Sequence, residues 1–384
     1  MGRGRTAYVL IEDKNTFQAI AIGGWLNSGA FYDYEGKCGL HHFMEHIIFN
    51  IPKIRQLSDA LKEKGAVINA FTSHEIICFY AVCLEEDYEK AYELIETIIV
   101  SRLDFSKAEN FENEKKIILN EIEYHSSYTE YLKELLLQQM FGKTAEQFSI
   151  LGNEKSVSGV TALDVTALYN DKFSNCNKLI TIIGNSTKIK APVEKEERSN
   201  TLLPVYGSIM PDKKREPLIQ EVKDKDEICY YGISLFYPKQ YRKEGLTFTE
   251  YVKGELLEEI RETNGAAYRI DGSNMNFGQG AVSFLIIKIM KKDVELVKNC
   301  IHTVLRTFKD GLIEKLYEIQ KKVTTRSQIK NDNVLSRMLN LGYEQTILFR
   351  EGETCEMETF LNYLKTTLEK GEDYYCQRII GRIK

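Results

Sequence analysis

Long apolar runs are missing from this 384-residue chain. None approaches the ~18 residues that a bilayer-spanning helix needs, so no membrane span is expected. The opening MGRGRTAYVL also lacks the apolar stretch of a secretory leader. An excess of basic charge is missing too. Lys and Arg number 51 against 56 Asp and Glu, a net charge of −5. That balance excludes the broad cationic surface of a general nucleic-acid binder. The cysteines, at 38, 78, 83, 176, 229, 300, 355 and 376, form no C-x-x-C pair. Cys78 and Cys83 fall at an odd separation in one predicted strand, on opposite faces, which suits packing better than a zinc cage. Thiols are expected, and with them a reducing, cytoplasmic setting. Proline is scarce: of six residues, four (Pro192, Pro204, Pro211 and Pro217) fall between 186 and 226. That stretch is charged and apolar-poor, the composition of an interdomain linker.

Histidine is scarce as well, with six residues, yet three of them stand at 41, 42 and 46. They lie in KCGLHHFMEHIIFN, residues 37–50. An α-helix advances 3.6 residues per turn, so His42 and His46 at i and i+4 share one face, and Glu45 sits at its edge. Two imidazoles one turn apart can hold one zinc ion, and a carboxylate beside them can take a proton from water. The order is that of the H-x-x-E-H inverzincins. His41 lies about 100° away from this face and reads as a polar packing residue. His74 and His302 read as structural.

The rest of the chain reads as an α+β protein. Residues 7–25 carry two strands. Pro52 is expected to end the motif helix, residues 53–64 have helical spacing, and Gly65 closes that helix. An extended hairpin over 66–84 and an amphipathic helix over 85–102 follow. Ser106 and Glu109 have capping-box spacing and are expected to open a helix through about residue 124. Helices over 130–141 and 160–173 and a buried strand at 177–185 complete the first half. The second half repeats this order: Gly265 precedes a hairpin in 266–290, and an amphipathic helix runs to about 310. We therefore divide the chain into an N-terminal module (1–188), a linker (189–222) and a C-terminal module (223–384). Each module is an α/β sandwich, a mostly antiparallel sheet covered by helices.

A catalytic zinc keeps three protein ligands and leaves one position for water. Glu114, Glu121 and His125 recur at helical intervals and are all candidates for the third; spacing does not choose among them. A resemblance does. GLHHFMEHIIFN, NAFTSHEIICFY, ENEKKIILNEIEYH and VTALDVTALYNDKFSNCNKLITIIGN occur in this order. Together they resemble the pitrilysin/insulinase-type metallopeptidases, which include the mitochondrial processing peptidase. In that family the third ligand is the second of two glutamates seven apart, about 75 residues beyond the motif. The resemblance thus implies His42, His46 and Glu121 as ligands of one Zn2+ per chain, with Glu114 as the supporting glutamate. It implies Glu45 as general base in peptide-bond hydrolysis, and Arg261 and Tyr268, seven apart in IRETNGAAY, as holding substrate backbone. The strand around Asn69 resembles the edge to which a substrate peptide adds.

Family members enclose substrate between four modules. Two modules imply a partner, either a second copy or a related subunit, and a peptide or unfolded segment as substrate. Small two-domain relatives trim leader peptides, one route by which this chain could act. The competing reading is a non-catalytic scaffold or peptide-binding subunit of the same fold. Some departures touch the pocket: NIPKIRQ after the motif is short, and Lys64-Gly65 replaces the usual Gly-Gly.

Overall fold

The computed structural model describes residues 6–12, 19–105, 108–125, 128–142, 148–184, 220–221, 227–346, 355–370 and 375–381. Strands β1 (Thr6–Glu12) and β2 (Ala19–Leu26) precede the motif helix α1 (Leu40–Ile48) and α2 (Pro52–Lys62). The hairpin β3 (Val67–Thr72) and β4 (Ile77–Leu84) leads to α3 (Tyr88–Val100), α4 (Phe111–His125), α5 (Tyr128–Phe141), α6 (Glu154–Ser158), α7 (Ala162–Leu168) and β5 (Lys178–Gly184). The second half runs β6 (Gln220–Glu221), β7 (Ile228–Pro238), α8 (Arg242–Leu256), β8 (Ala267–Phe277), β9 (Gly280–Met290) and α9 (Val294–Arg306). It ends with α10 (Leu312–Lys330), α11 (Val334–Thr346), α12 (Met357–Glu369) and β10 (Tyr375–Ile380).

Two local expectations change. Pro52 does not stop α1, which has already ended at Ile48; it opens α2. Proline suits that place because the first helical N–H has no partner to lose. The helix expected from Ser106 begins only at Phe111, and Ser106 lies outside the described residues. Asn110, at φ 58°, turns the chain immediately before it, and asparagine tolerates that left-handed conformation better than most residues. The linker also lies outside the described residues, apart from the two of β6.

The repeat is visible in the topology. Each sheet has five strands in equivalent order, β1-β5-β2-β4-β3 and β6-β10-β7-β9-β8. In each, the first strand runs parallel to its neighbour and the remaining pairs are antiparallel. The two sheets belong to two compact units. In the first, β2 and β4 send Ile20, Ile22, Ile77, Phe79 and Ala81 to a core shared with α1, α2, α3 and α7. In the second, Tyr231, Ile233, Leu235, Leu285 and Ile287 face residues of α8, α9 and α12. Alternation along these strands places the other side chains on the opposite face, so each sheet needs a second cover.

That cover comes from the other half of the sequence. Helix α11 belongs to the first unit, and α5 to the second. Val334, Met338 and Leu341 of α11 pack with Ala21, Trp25, Cys78, Leu179 and Ile183 on the far face of the first sheet. Glycine permits the close approach. A Cβ on Gly23 would lie 2.2 Å from the Met338 sulfur, and one on Gly342 would lie 1.8 Å from the Trp25 ring. In the second unit α5 packs on β7 and β10. There a Cβ on Gly232 would meet Leu132 and Leu136 at 2.8 Å. The sequential division at 188 and 223 does not contain these two exchanges.

Candidate metal centre

Helix α1 is held by its apolar side. Leu40, Phe43, Met44, Ile47 and Ile48 are fully buried, which leaves His42, Glu45 and His46 for the remaining face. The helix starts abruptly at Gly39, whose φ is 87° and whose added Cβ would lie 2.4 Å from the Leu151 carbonyl oxygen. No side chain of the preceding residue caps it. Asp33 does so from a distance: Oδ2 accepts from Gly39 N at 2.7 Å and Leu40 N at 3.2 Å, and Oδ1 accepts from His41 N at 2.9 Å.

Of the three open candidates for a third ligand, the structure brings Glu121 to the histidines. The donor atoms of His42, His46 and Glu121 lie within 4.8 Å of one another. Glu121 Oε2 stands 3.7 Å from Nε2 of His42 and 3.7 Å from Nε2 of His46. Those separations are too long for hydrogen bonds. They are close to the edge of a ligand tetrahedron, about 3.3–3.4 Å for bonds of 2.0–2.1 Å. The donor set therefore fits a zinc ion. Glu114, two turns earlier on α4, lies beside His46 instead. Its Oε2 is 3.2 Å from His46 Nδ1, and its Oε1 accepts from Asn50 Nδ2 at 3.0 Å. A carboxylate can only accept, so His46 donates its Nδ1–H, and Nε2 keeps its lone pair toward the centre. His125 is the last residue of α4, and its side chain lies outside the described residues.

Glu45 is buried, and its Oε2 accepts from Thr72 Oγ1 at 2.5 Å. Burial raises its pKa above the ordinary carboxylate value; the Thr72 bond and the His46 imidazole pull the other way, and Glu121 adds to the rise. A carboxylate moved toward neutrality is better matched to proton transfer near neutral pH. Asn69 is exposed on β3, the edge strand of its sheet, where it pairs with Tyr80. Arg261 and Tyr268 belong to the second unit. Arg261 is exposed in a π-helical turn, Leu257–Thr263. Tyr268 falls where the β8 register breaks between Ala267 and Arg269, and its side chain lies outside the described residues.

Sequence reasoning missed Asp33, Asn50 and Thr72. Asn50 had a signal, since it follows His46 by one turn. Thr72 could be found only by knowing which strand faces α1.

Behind Thr72, the turn into β4 is fixed by His74. Its Nε2–H donates to the Phe148 carbonyl at 2.8 Å, its ring lies 4.6 Å from that of Phe31, and it is buried. This agrees with a structural His74. Burial pushes its pKa down to about 4, against the bond to Phe148. The unfolded chain, with an ordinary imidazole near 6.5, takes up the proton first, so stability is lost as pH falls from about 6.5 to about 4. The expected loss between pH 8 and pH 5 is about 2 kcal/mol. Urea unfolding of the parent and of His74→Gln at both pH values measures it, and the variant should lack this component.

Residues 8–154 match the family described as Insulinase (Peptidase family M16). The chain is 22% identical over 370 residues to the uncharacterized zinc protease YmxG of Bacillus subtilis, covering 92% of this chain and 89% of that one. Residues 8–154 thus match the pitrilysin/insulinase-type peptidase family. The chain is 30% identical over 158 residues to the beta subunit of the mitochondrial-processing peptidase of Rattus norvegicus, over 40% of this chain and 32% of that one. Its fold is similar to that of a peptidase M16 inactive domain from Pseudomonas fluorescens, with a TM-score of 0.74 at 12% identity over 99% and 96% of the two chains. A putative M16-like peptidase from Alicyclobacillus acidocaldarius gives 0.69 at 16% identity over 97% and 95%. The insulinase-type fold thus accounts for both modules. Among the described residues, no helix is long and apolar enough to cross a membrane.

Proposed function

We propose that this insulinase-type chain is a zinc-dependent endopeptidase acting on peptides or unfolded segments. The observation that carries the reading is the convergence of His42, His46 and Glu121 beside the buried carboxylate of Glu45. One Zn2+ held by those three residues would supply Lewis-acid polarisation of the scissile carbonyl. Glu45 takes the proton of the attacking water and returns it to the leaving amine. Thr72 holds one Glu45 oxygen, which sets where the other points. Glu114 and Asn50 keep His46 in one tautomer and one orientation.

The edge of β3 offers main-chain groups to an extended peptide, with Asn69 on the exposed side. In this reading the unit carrying α1 is catalytic. The other supplies Arg261 and Tyr268 to hold substrate backbone at the zinc site of a second chain, in a homodimer or beside a related subunit. Processing of a precursor or leader peptide in the cytoplasm is the role such an assembly would serve.

The test is metal content. Purified protein is expected to hold one zinc per chain by elemental analysis. A chelator should abolish peptide cleavage, and added zinc should restore it. Glu121→Gln removes a charged ligand and is expected to weaken zinc more than about 100-fold, beyond the usual cost of losing an outer partner. A parent chain that binds no zinc would instead be the scaffold subunit.

A further inference from the structure

Asp33, His41 and Ser28 form a connected relay that the proposed chemistry does not use. Asp33 Oδ1 lies 2.6 Å from His41 Nδ1, and His41 Nε2 lies 2.8 Å from Ser28 Oγ. The connectivity is that of a nucleophilic Ser–His–Asp triad. Burial rules out that use, because Ser28 and His41 have no exposed surface and no substrate carbonyl can reach the serine oxygen. We propose that the relay is the positioning device of the metal helix, with Asp33 as its anchor; the inference rests on the zinc reading above.

The Asp33 carboxylate accepts four hydrogen bonds: three from the backbone N–H groups that open α1, and one from His41. It thus satisfies N–H groups that have no partner within the helix and places negative charge at the positive end of the helix dipole. A carboxylate only accepts, so His41 donates Nδ1–H to it, and its Nε2 is left to hydrogen-bond with the Ser28 hydroxyl. Ser28 stands two residues beyond the end of β2, the central strand of the sheet. The relay therefore ties the first turn of α1 to the most deeply held strand. His42 is the next residue, and His46 follows one turn later on the same nine-residue helix. Any slip or rotation of the helix start carries both Nε2 atoms away from Glu121 together. Packing of the apolar side resists lateral movement; the relay fixes rotation and register.

Asp33→Asn is the informative change. An amide presents one accepting oxygen where four donors converge, so either the Gly39 and Leu40 N–H groups or the two donors of His41 face an N–H instead. The folded variant is expected to bind zinc about tenfold more weakly, within the range for lost outer partners, and to show an altered visible spectrum when loaded with Co2+. Ser28→Ala removes only the far end and should weaken zinc about threefold by the same relay. Zinc affinity is read by competition with a chromophoric chelator, well below each melting temperature. In the other unit, buried Glu255 pairs with Lys309 at 2.8 Å and with Lys315; Glu255→Gln breaks both pairs and serves as a destabilised control whose zinc affinity should not move. If Asp33→Asn folds and binds zinc and Co2+ as the parent does, the proposal is overturned. If it does not fold, parental zinc affinity in Ser28→Ala overturns it. A parent that binds no zinc fails the metal reading itself, a separate result.

Discussion

A Glu45→Gln variant is expected to hold as much zinc as the parent and to lose about 10²–10⁴ in kcat/KM for peptide cleavage. The two halves of this result come from different atoms. The three donor atoms that converge belong to His42, His46 and Glu121, and glutamine leaves all of them in place. The amide has nearly the shape of the carboxylate and still accepts the Thr72 hydroxyl through its oxygen. It has no basic oxygen to receive a proton from water. Burial opposes the charge on Glu45, so neutralising it should not destabilise the protein, and the melting temperature is expected to stay level or rise. Zinc by elemental analysis and initial rates on a quenched-fluorescent peptide library give both readouts from one preparation. Cleavage at the parental rate with full zinc would assign the base to another group.

How much of this centre could be read in advance follows from range. His42, Glu45 and His46 lie within one and a half turns of a helix, and their shared face is a property of local geometry. Glu114 and Glu121 are likewise two turns apart on α4. Their approach to α1 is a tertiary fact, and helical spacing left Glu114, Glu121 and His125 equal until the resemblance separated them. Asp33 lies six residues before the first backbone group it caps, across a turn, where no capping-box spacing applies. Thr72 is one residue of a strand whose alternation shows which residues share a face but not which helix lies over it. The repeat was legible because both halves set a glycine before a hairpin and an amphipathic helix after it. The exchange of α5 and α11 was not, since an apolar stripe names no partner: Val334, Met338 and Leu341 would suit any sheet face of the right size.

That exchange carries the second large prediction. Residues 1–222 alone are expected not to fold cooperatively and not to bind zinc tightly, although they contain every proposed ligand. Without α11 the far face of the first sheet loses the cover of Val334, Met338 and Leu341, residues worth about 1.5–3 kcal/mol each when fully buried. Trp25 loses the edge contact of Tyr343 at 5.6 Å, and Phe71 loses its stacked partner at 6.0 Å. The sum is of the order of the whole stability of a domain, about 5–15 kcal/mol. The fragment would also carry α5 with its buried Leu132, Leu135 and Leu136 and no β7 or β10 to receive them. Co-expression with residues 223–384 should restore a cooperative melt and zinc binding, since that piece supplies α11 and accepts α5. The same face can be probed in the intact chain by Gly342→Val. The first added carbon would lie 1.8 Å from the Trp25 ring, so the helix must shift, with an expected loss of about 1–3 kcal/mol or more. Denaturant unfolding of the variant and calorimetry of the fragment pair are the measurements. A 1–222 fragment that melts cooperatively and binds zinc like the parent would show that α11 only decorates a unit able to stand without it. The expected failure would instead make the chain's two halves one folding unit, in which the zinc site depends on a helix nearly 300 residues after its first ligand.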